Sequence, residues 1–492
     1  MINPEANTYD LCIIGTGIAG LNALFVASRY LNENSRVLLV DRRQRSGGMW
    51  VDTYDYVRLH QPHSMFTAGD IRWTINQPPS YLATKQEVLT QFAHCLAELS
   101  KKLQITQWFE HELILHEESN DTRAYPVQVQ IAPLDQPDKI RHVQVKRLIK
   151  AFGFHLRPST ALPLSSSSVN SVSPNDLTVL NEPMRTSNKP VWIVGGGKTG
   201  MDSAHSVISK YPGREVNLIV GKGTMFLNRD TAFPTGIRRW WAGHTGLNTF
   251  LDLALRFDGT NEREVAKHFG NTYGLQLGED YQHYVFALLS KNELSKIASG
   301  VKRVIKDYLD DVVDTSDGPE LRLRSGESYA LEPGTLLINC TGSVMRDKSY
   351  PYEPYLSPGG HVLSVQPRSA IHMLTTFGSY FLTHLFYLDK LAALPLYEMD
   401  YVELYARNKV ALPYAAMAHI LHNTMLISSV VPERVFTECG LDFDRWFPMS
   451  RRLFDGLRMK RHGVEYLSHF RASLDRFAQT NQLRCRPLEY ET

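Results

Sequence analysis

Cysteine is scarce here: five residues in 492, at Cys12, Cys95, Cys340, Cys439 and Cys485, with no C-x-x-C pair. That spacing argues against a disulfide framework and against a redox-active dithiol. No run of 18 apolar residues occurs, so no membrane-spanning helix is expected. The start, MINPEANTYD, lacks the basic residues and apolar core of a signal peptide, and a cytoplasmic location is expected. Charge of neither sign dominates: 53 Lys and Arg face 51 Asp and Glu, so nothing calls for a nucleic acid partner. The 18 histidines are scattered without H-E-x-x-H or a comparable ligand spacing, and no metal is expected. The chain is long enough to bury two or three cores.

What the chain does have is two glycine turns. The first lies in residues 9–50. An apolar run at 11–14 reads as a buried parallel strand. Gly15, Thr16, Gly17, Ile18, Ala19 and Gly20 follow as G-x-G-x-x-G and open a helix expected over 21–31. Gly15 permits the tight turn, Gly17 leaves the backbone bare for a pyrophosphate, and Gly20 lets helix and strand pack closely. The helix N-terminus favours phosphate charge. A second strand, 37–40, ends on Asp41, placed to accept from both ribose hydroxyls, with Arg42 beside it. The second turn follows the strand at 191–194: Gly195, Gly197, Lys198, Thr199 and Gly200 repeat the pattern. No acid ends its next strand, 216–220; Gly221 and Lys222 stand there instead. Removing the acid and adding a cation suits a 2′-phosphate, so NADPH is expected over NADH.

After Asp41 comes Arg45-Ser46-Gly47-Gly48-Met49-Trp50. This R-x-G-G-x-W pattern resembles the flavin-containing monooxygenase family and its Baeyer–Villiger and YUCCA-type relatives. The stretch 56–62, YVRLHQP, resembles the segment that lies along the flavin in that family. The resemblance implies FAD on the first turn, contacted by Gly48, Met49, Trp50 and His60, and NADPH on the second. Gln61 stands near the position of the family's flavin-loop Asn and is the candidate catalytic residue at the flavin N5/C4a edge. Two strand ends, 148–153 (LIKAFG) and 336–342 (LLINCTG), resemble the family's return strands beside the cofactors, which adds Gly153, Thr341 and Gly342. His155 has a structural polar reading. The implied activity inserts one oxygen atom from O2 into a nitrogen, sulfur or carbonyl centre of a small molecule, through a C4a-(hydro)peroxyflavin. The interval holding SSSSVNSVSPNDL lacks the family's F-x-G-x-x-x-H fingerprint, which keeps open a dehydrogenase or oxidase that inserts no oxygen.

The expected fold is α/β, with two dinucleotide-binding (Rossmann-like) domains, the FAD domain discontinuous, and a helical C-terminal extension. FAD-binding segments are expected at 1–165 and 335–395, and the NAD(P)H domain at 185–334 with a helical insertion about 224–310. The extension is 396–492. Thr84 and Glu87 form a capping box before an amphipathic helix. Residues 103–150 alternate as short antiparallel strands, and the serine run at 165–168 with the polar stretch flanked by Pro174 and Pro183 reads as a linker. The apolar stretch 371–388 reads first as buried core, second as a substrate channel or a peripheral membrane contact.

Overall fold

The computed structural model describes residues 7–119, 123–154, 156, 158–176, 180–181, 184–342 and 350–488; His155 lies outside them. Strand β1 (Thr8–Ile14) runs into helix α1 (Ile18–Ala27), which begins three residues earlier than expected, and then β2 (Arg36–Asp41). After the short helix α2 (Met49–Asp52) comes α3 (Lys85–Ser100), entered through the expected capping box of Thr84 and Glu87. Such a cap is worth about 1 kcal/mol. Strands β3 (Gln104–Phe109), β4 (His111–Glu118), β5 (Val127–Pro133) and β6 (Arg141–Lys150) complete a sheet ordered β3-β2-β1-β6-β5-β4. β3, β2, β1 and β6 are parallel; β5 and β4 turn back antiparallel. β1 and β2 are apolar throughout their centres because both faces are covered. α1 and α3 pack one face, and Val127, Val129 and Val143 help cover the other.

The second sheet is wholly parallel: β7 (Asn170–Val172), β8 (Val191–Val194), β9 (Val216–Ile219), β13 (Arg303–Ile305) and β17 (Leu336–Asn339), in the order β13-β9-β8-β17-β7. Helix α4 (Lys198–Lys210) follows β8. The stretch expected to be a linker therefore contributes an edge strand, β7. Between β9 and β13 lie β10 (Met225–Asn228), α5 (Arg229–Ala232), α6 (Gly246–Arg256), α7 (Glu262–Thr272), β11 (Gly274–Leu275), β12 (Tyr284–Leu289) and α8 (Lys291–Gly300). The insertion is thus mixed rather than mostly helical, with β10–β12 forming their own small sheet. β13 (Arg303–Ile305) returns to the second sheet, and β14 (Leu309–Thr315), β15 (Gly318–Leu323) and β16 (Ser328–Ala330) form an antiparallel meander.

β17 (Leu336–Asn339) pairs with β8, Leu336 opposite Val191 and Asn339 opposite Val194. The chain re-enters the first sheet only at β18 (Val362–Ser364), beside Leu148–Lys150, and not at residue 335 as expected. A run as short as Leu336–Ile338, three buried apolar residues, carries the same signal in either sheet, so the pattern alone does not assign it. Helix α9 (Thr375–Tyr387) then buries almost every side chain against α1, with the Ser379 hydroxyl donating to Ala19 O at 2.8 Å. The core reading of 371–388 holds; a membrane-facing surface there does not.

The extension contains β19 (Tyr397–Met399), α10 (Tyr401–Arg407), α11 (Leu412–Ser428), α12 (Glu433–Thr437), α13 (Met449–Asn481) and β20 (Cys485–Pro487). α11 is apolar on all sides over most of its length because it sits at the centre, packed by α6 and α13. Extension and insertion therefore share one core. No helix among the described residues is long and apolar enough to cross a membrane.

Candidate active site

The first turn is built as the glycines require. Gly15 has φ +97°, and a Cβ there would lie 2.6 Å from Ala151 O. A Cβ on Gly20 would lie 1.8 Å from Gly15 O. Gly17 is the N-cap of α1, and no side chain caps it, unlike α3. That leaves the first-turn amides and the positive end of the helix dipole for an anion. A Cβ on Gly17 would lie 3.2 Å from Gly48 Cα, so two stretches of bare backbone face one another. Asp41 is buried. One carboxylate oxygen accepts from Thr16 N–H at 2.6 Å and the Thr16 hydroxyl at 2.8 Å; the other accepts from Arg43 N–H at 2.9 Å. Arg42 instead points outward and pairs with Glu112 at 3.6 Å. Gly153 has φ +61°, and its missing Cβ would face the Thr375 hydroxyl of α9 at 3.5 Å.

A cleft of about 1200 Å³ opens beside the second turn. Gly195, Gly197, Lys198 and Thr199 line it from one side; Met49, Trp50, His60 and Gln61 line it from the first domain. The first turn itself, Asp41 and Gly153 do not. Gly195 has φ +129°, and its Cβ would strike Cys340 O at 2.4 Å; Gly200 would strike Gly195 O at 1.9 Å. Gly197, the uncapped N-cap of α4, faces open space. Lys222 lies exposed on the rim, with Arg324, Tyr308 and Asp307 beside it. Ser325 N–H and Tyr308 N–H hold the Asp307 carboxylate at 3.1 and 2.7 Å. Thr341 and Gly342 also line the cleft, but the Thr341 hydroxyl donates to Asn339 Oδ1 at 2.5 Å.

Hydrogen bonds that no motif announced join the two domains. Tyr54 donates to Asp202 Oδ2 at 2.8 Å, and Tyr56 shares a 2.8 Å bond with Ser203 Oγ. Lys198 pairs with Asp202 on the next turn of α4. Arg229 pairs with Glu293 and donates to His60 O at 3.4 Å. Burial first, then the cations Lys198 and Arg229, drives the His60 pKa down to about 3, so the ring is neutral at physiological pH. The Gln61 amide has no hydrogen-bond partner among the described residues. Behind them the walls are apolar: Phe233 and Phe286 from the insertion, Phe377 from α9, Leu441 and Phe443 from the extension. These wall residues carry no sequence signal beyond apolarity, because long-range packing alone brings them together. All five cysteines are free and buried, and burial pushes Cys340, the one nearest the cleft, up to about 12.

Residues 9–240 match the pyridine nucleotide-disulphide oxidoreductase family. Over 207 residues the chain is 28% identical to an uncharacterized protein of Mycobacterium tuberculosis, and equally to one of Mycobacterium bovis. The match takes in 39% of this chain and 34% of the relative, so the chain spans about a third of the length of the curated relatives it matches. Among solved structures, a steroid monooxygenase bound to NADP shares the fold at a TM-score of 0.51 and 13% identity, over 93% of this chain and 98% of that one. An ornithine hydroxylase from Pseudomonas aeruginosa gives a TM-score of 0.47 at 10% identity, over 77% and 99%. A bacillithiol disulfide reductase from Bacillus cereus gives 0.44 at 9%, over 78% and 99%. The architecture is α/β with two Rossmann-like sheets and a helical C-terminal region.

Proposed function

We propose that this chain is an NADPH-using monooxygenase that holds FAD on its first glycine turn and transfers one oxygen atom from O2 to a small apolar molecule. One observation carries the reading: a single cleft joins the second glycine turn to Trp50, His60 and Gln61, then continues between apolar walls. FAD, when bound, supplies a two-electron relay from nicotinamide and a reduced ring able to react with oxygen. The residues fit both cofactors. Uncapped α1 and the bare backbones of Gly17 and Gly48 suit the FAD pyrophosphate. A carboxylate has about four acceptor sites. Three on Asp41 are taken, which leaves room for a ribose hydroxyl. Uncapped α4 with open space at Gly197 suits the NADPH pyrophosphate.

Each residue at the cleft has a task in this reading. Tyr54 and Tyr56 fix α4 against the flavin loop, which orients one cofactor to the other. Neutral His60 adds no proton source, and the aromatic walls exclude water. The Gln61 amide is the polar group available to donate or accept at the reacting edge. Reduction by a dithiol pair has no support here, because a lone, buried Cys340 offers neither a partner nor a thiolate.

The test is to reduce the FAD-loaded protein with NADPH without oxygen and then mix it with aerated buffer. We expect the oxidised flavin spectrum to return slowly, with less than one hydrogen peroxide per flavin at early times. Gln61→Ala should hasten both the return and the peroxide release. Immediate return in the wild type, with matching peroxide, would favour an oxidase or dehydrogenase instead.

Coenzyme choice is a separate prediction. Lys222→Ala should reduce the kcat/KM preference for NADPH over NADH by roughly tenfold, the effect of losing about 1.4 kcal/mol. An unchanged ratio would remove Lys222 from 2′-phosphate recognition and leave Arg324 as the candidate.

A further inference from the structure

The largest apolar exposure lies away from the glycine turns. Ile237, Trp240 and Trp241 stand out from a 3-10 turn at Gly236–Trp240, with Trp241 65% exposed. Met449, Leu453, Phe454 and Leu457 stand out from the first half of α13, with Phe454 71% exposed. Met449, Leu453 and Leu457 follow at i, i+4 and i+8, which places them along one side of the helix. The turn and the helix are one surface: Arg451 donates to Ala242 O at 2.7 Å and to Gly243 O at 2.9 Å. A soluble chain rarely leaves so many large apolar side chains together without a partner.

The charges around this surface are mostly cationic. Arg451, Arg452, Arg458, Lys460 and Arg461 lie on the same half-helix, and Arg238 and Arg239 on the turn. The only acid between 449 and 464 is Asp455, which is buried, turned inward, and accepts from Thr245 Oγ1 and Asn248 Nδ2, each at 2.7 Å. Arg452 is matched by Asp442 at 3.4 Å, and Glu465 lies at the far end of the patch. Lys460 and Arg461 have no carboxylate partner among the described residues.

We propose that this face docks on the surface of an anionic phospholipid bilayer. A basic amphipathic half-helix beside two exposed tryptophans has the composition that settles at a headgroup interface: aromatic and apolar side chains below it, cations among the phosphates. A second copy of this chain fits poorly, since a symmetric contact would set both clusters of cations against each other. The site is peripheral, consistent with the absence of a spanning helix among the described residues. It lies next to the cleft: Phe233 before the turn and His244 after it both line the cavity, and Trp446 Nε1 donates to Pro234 O at 2.7 Å between them. Docking therefore brings the cleft's rim to the lipid. The proposal does not depend on whether oxygen is inserted.

The test is sedimentation of the FAD-loaded full chain with vesicles of phosphatidylcholine alone, or with one third phosphatidylglycerol. Binding is expected to the anionic vesicles at low salt, weaker at 0.5 M NaCl, and absent with phosphatidylcholine alone. The double variant Trp241→Ser, Phe454→Ser should bind at least tenfold more weakly, with flavin content and NADPH-driven flavin reduction unchanged. Arg239→Glu with Arg461→Glu should lose the salt-sensitive part. Failure of the wild type to sediment with anionic vesicles at low salt would overturn the proposal, as would equal binding by the serine variant. So would a wild-type dimer that the serine variant converts to monomer without any vesicle binding, since the face would then belong to a second copy.

Discussion

Gly197→Asp should give a folded, yellow protein that NADPH reduces only at concentrations 100-fold or more above those of the wild type. Gly197 is the N-cap of α4 with φ −83° and ψ −172°, extended backbone that any residue adopts. A Cβ there meets nothing within 4 Å. Aspartate therefore fits, and at an N-cap it is as good as any residue, so stability should hold or rise by a few tenths of a kcal/mol. Its carboxylate would accept the amides that now face the cleft uncapped, and would place a negative charge where the pyrophosphate belongs. At about 4 Å and an effective dielectric of about 20, the repulsion is on the order of 3–4 kcal/mol, which is 10²–10³ in affinity. The measurement is stopped-flow flavin reduction against NADPH concentration, with dithionite as a reductant that needs no site and a thermal melt as the check on folding. Gly197→Ala separates charge from bulk and should change little. Wild-type NADPH dependence in the aspartate variant would mean that the second turn is not the dinucleotide site.

That experiment rests on a part of the chain that was readable from sequence. The two glycine turns follow a local rule: glycine at three positions, a buried strand before, a helix after. Each of those requirements is met within about 30 residues. Gly15 and Gly195 take positive φ, and Gly20 and Gly200 leave no room for a Cβ, as the pattern demands. The Thr84 capping box was equally local. What was not readable is what depends on distant partners. β17 and β18 are short apolar strands, and only their neighbours decide which sheet receives them. β7 lies in a polar, serine-rich stretch, where Ser166 and Ser167 hold the Asp314 carboxylate rather than remaining free in solvent. Adjacency alone groups Arg42 with the ribose acid, yet side chains alternate along a strand end, and it turns to Glu112 while its neighbour faces Thr16. The Tyr54–Asp202 and Tyr56–Ser203 bonds cross nearly 150 residues of chain, and no spacing rule reaches that far. The cleft walls belong to the same class, and they are where a substrate would be chosen.

The second large effect is expected at Gly48, where the segment after the first turn meets α1. Gly48 has φ +54° and ψ −138°, a conformation open to glycine and costly for any residue with a Cβ, by about 1–3 kcal/mol. A Cβ there would also stand 2.8 Å from Gly17 Cα. Unlike a flexible side chain, that backbone cannot swing aside, because Gly17 begins α1 and its carbonyl accepts from Leu21 N–H at 2.9 Å. Gly48→Ala must therefore move the 47–52 segment, which Arg43 and Asp52 brace with a 2.7 Å hydrogen bond. Displacing it would open the facing backbones that we assign to the FAD pyrophosphate and shift Trp50 in the cleft. The expected result is a protein that purifies largely colourless, binds added FAD at least 50-fold more weakly, and melts at a lower temperature that added FAD only partly restores. Met49→Ala separates side chain from backbone: Met49 is the next residue, 42% exposed and lining the cleft, and its truncation should weaken FAD binding by less than tenfold. Visible absorbance relative to protein, followed by titration of the flavin-free form, reads both variants. Full flavin retention in Gly48→Ala would show that the cofactor's phosphates do not run between Gly17 and Gly48, and the second glycine pair would have to be explained by packing alone.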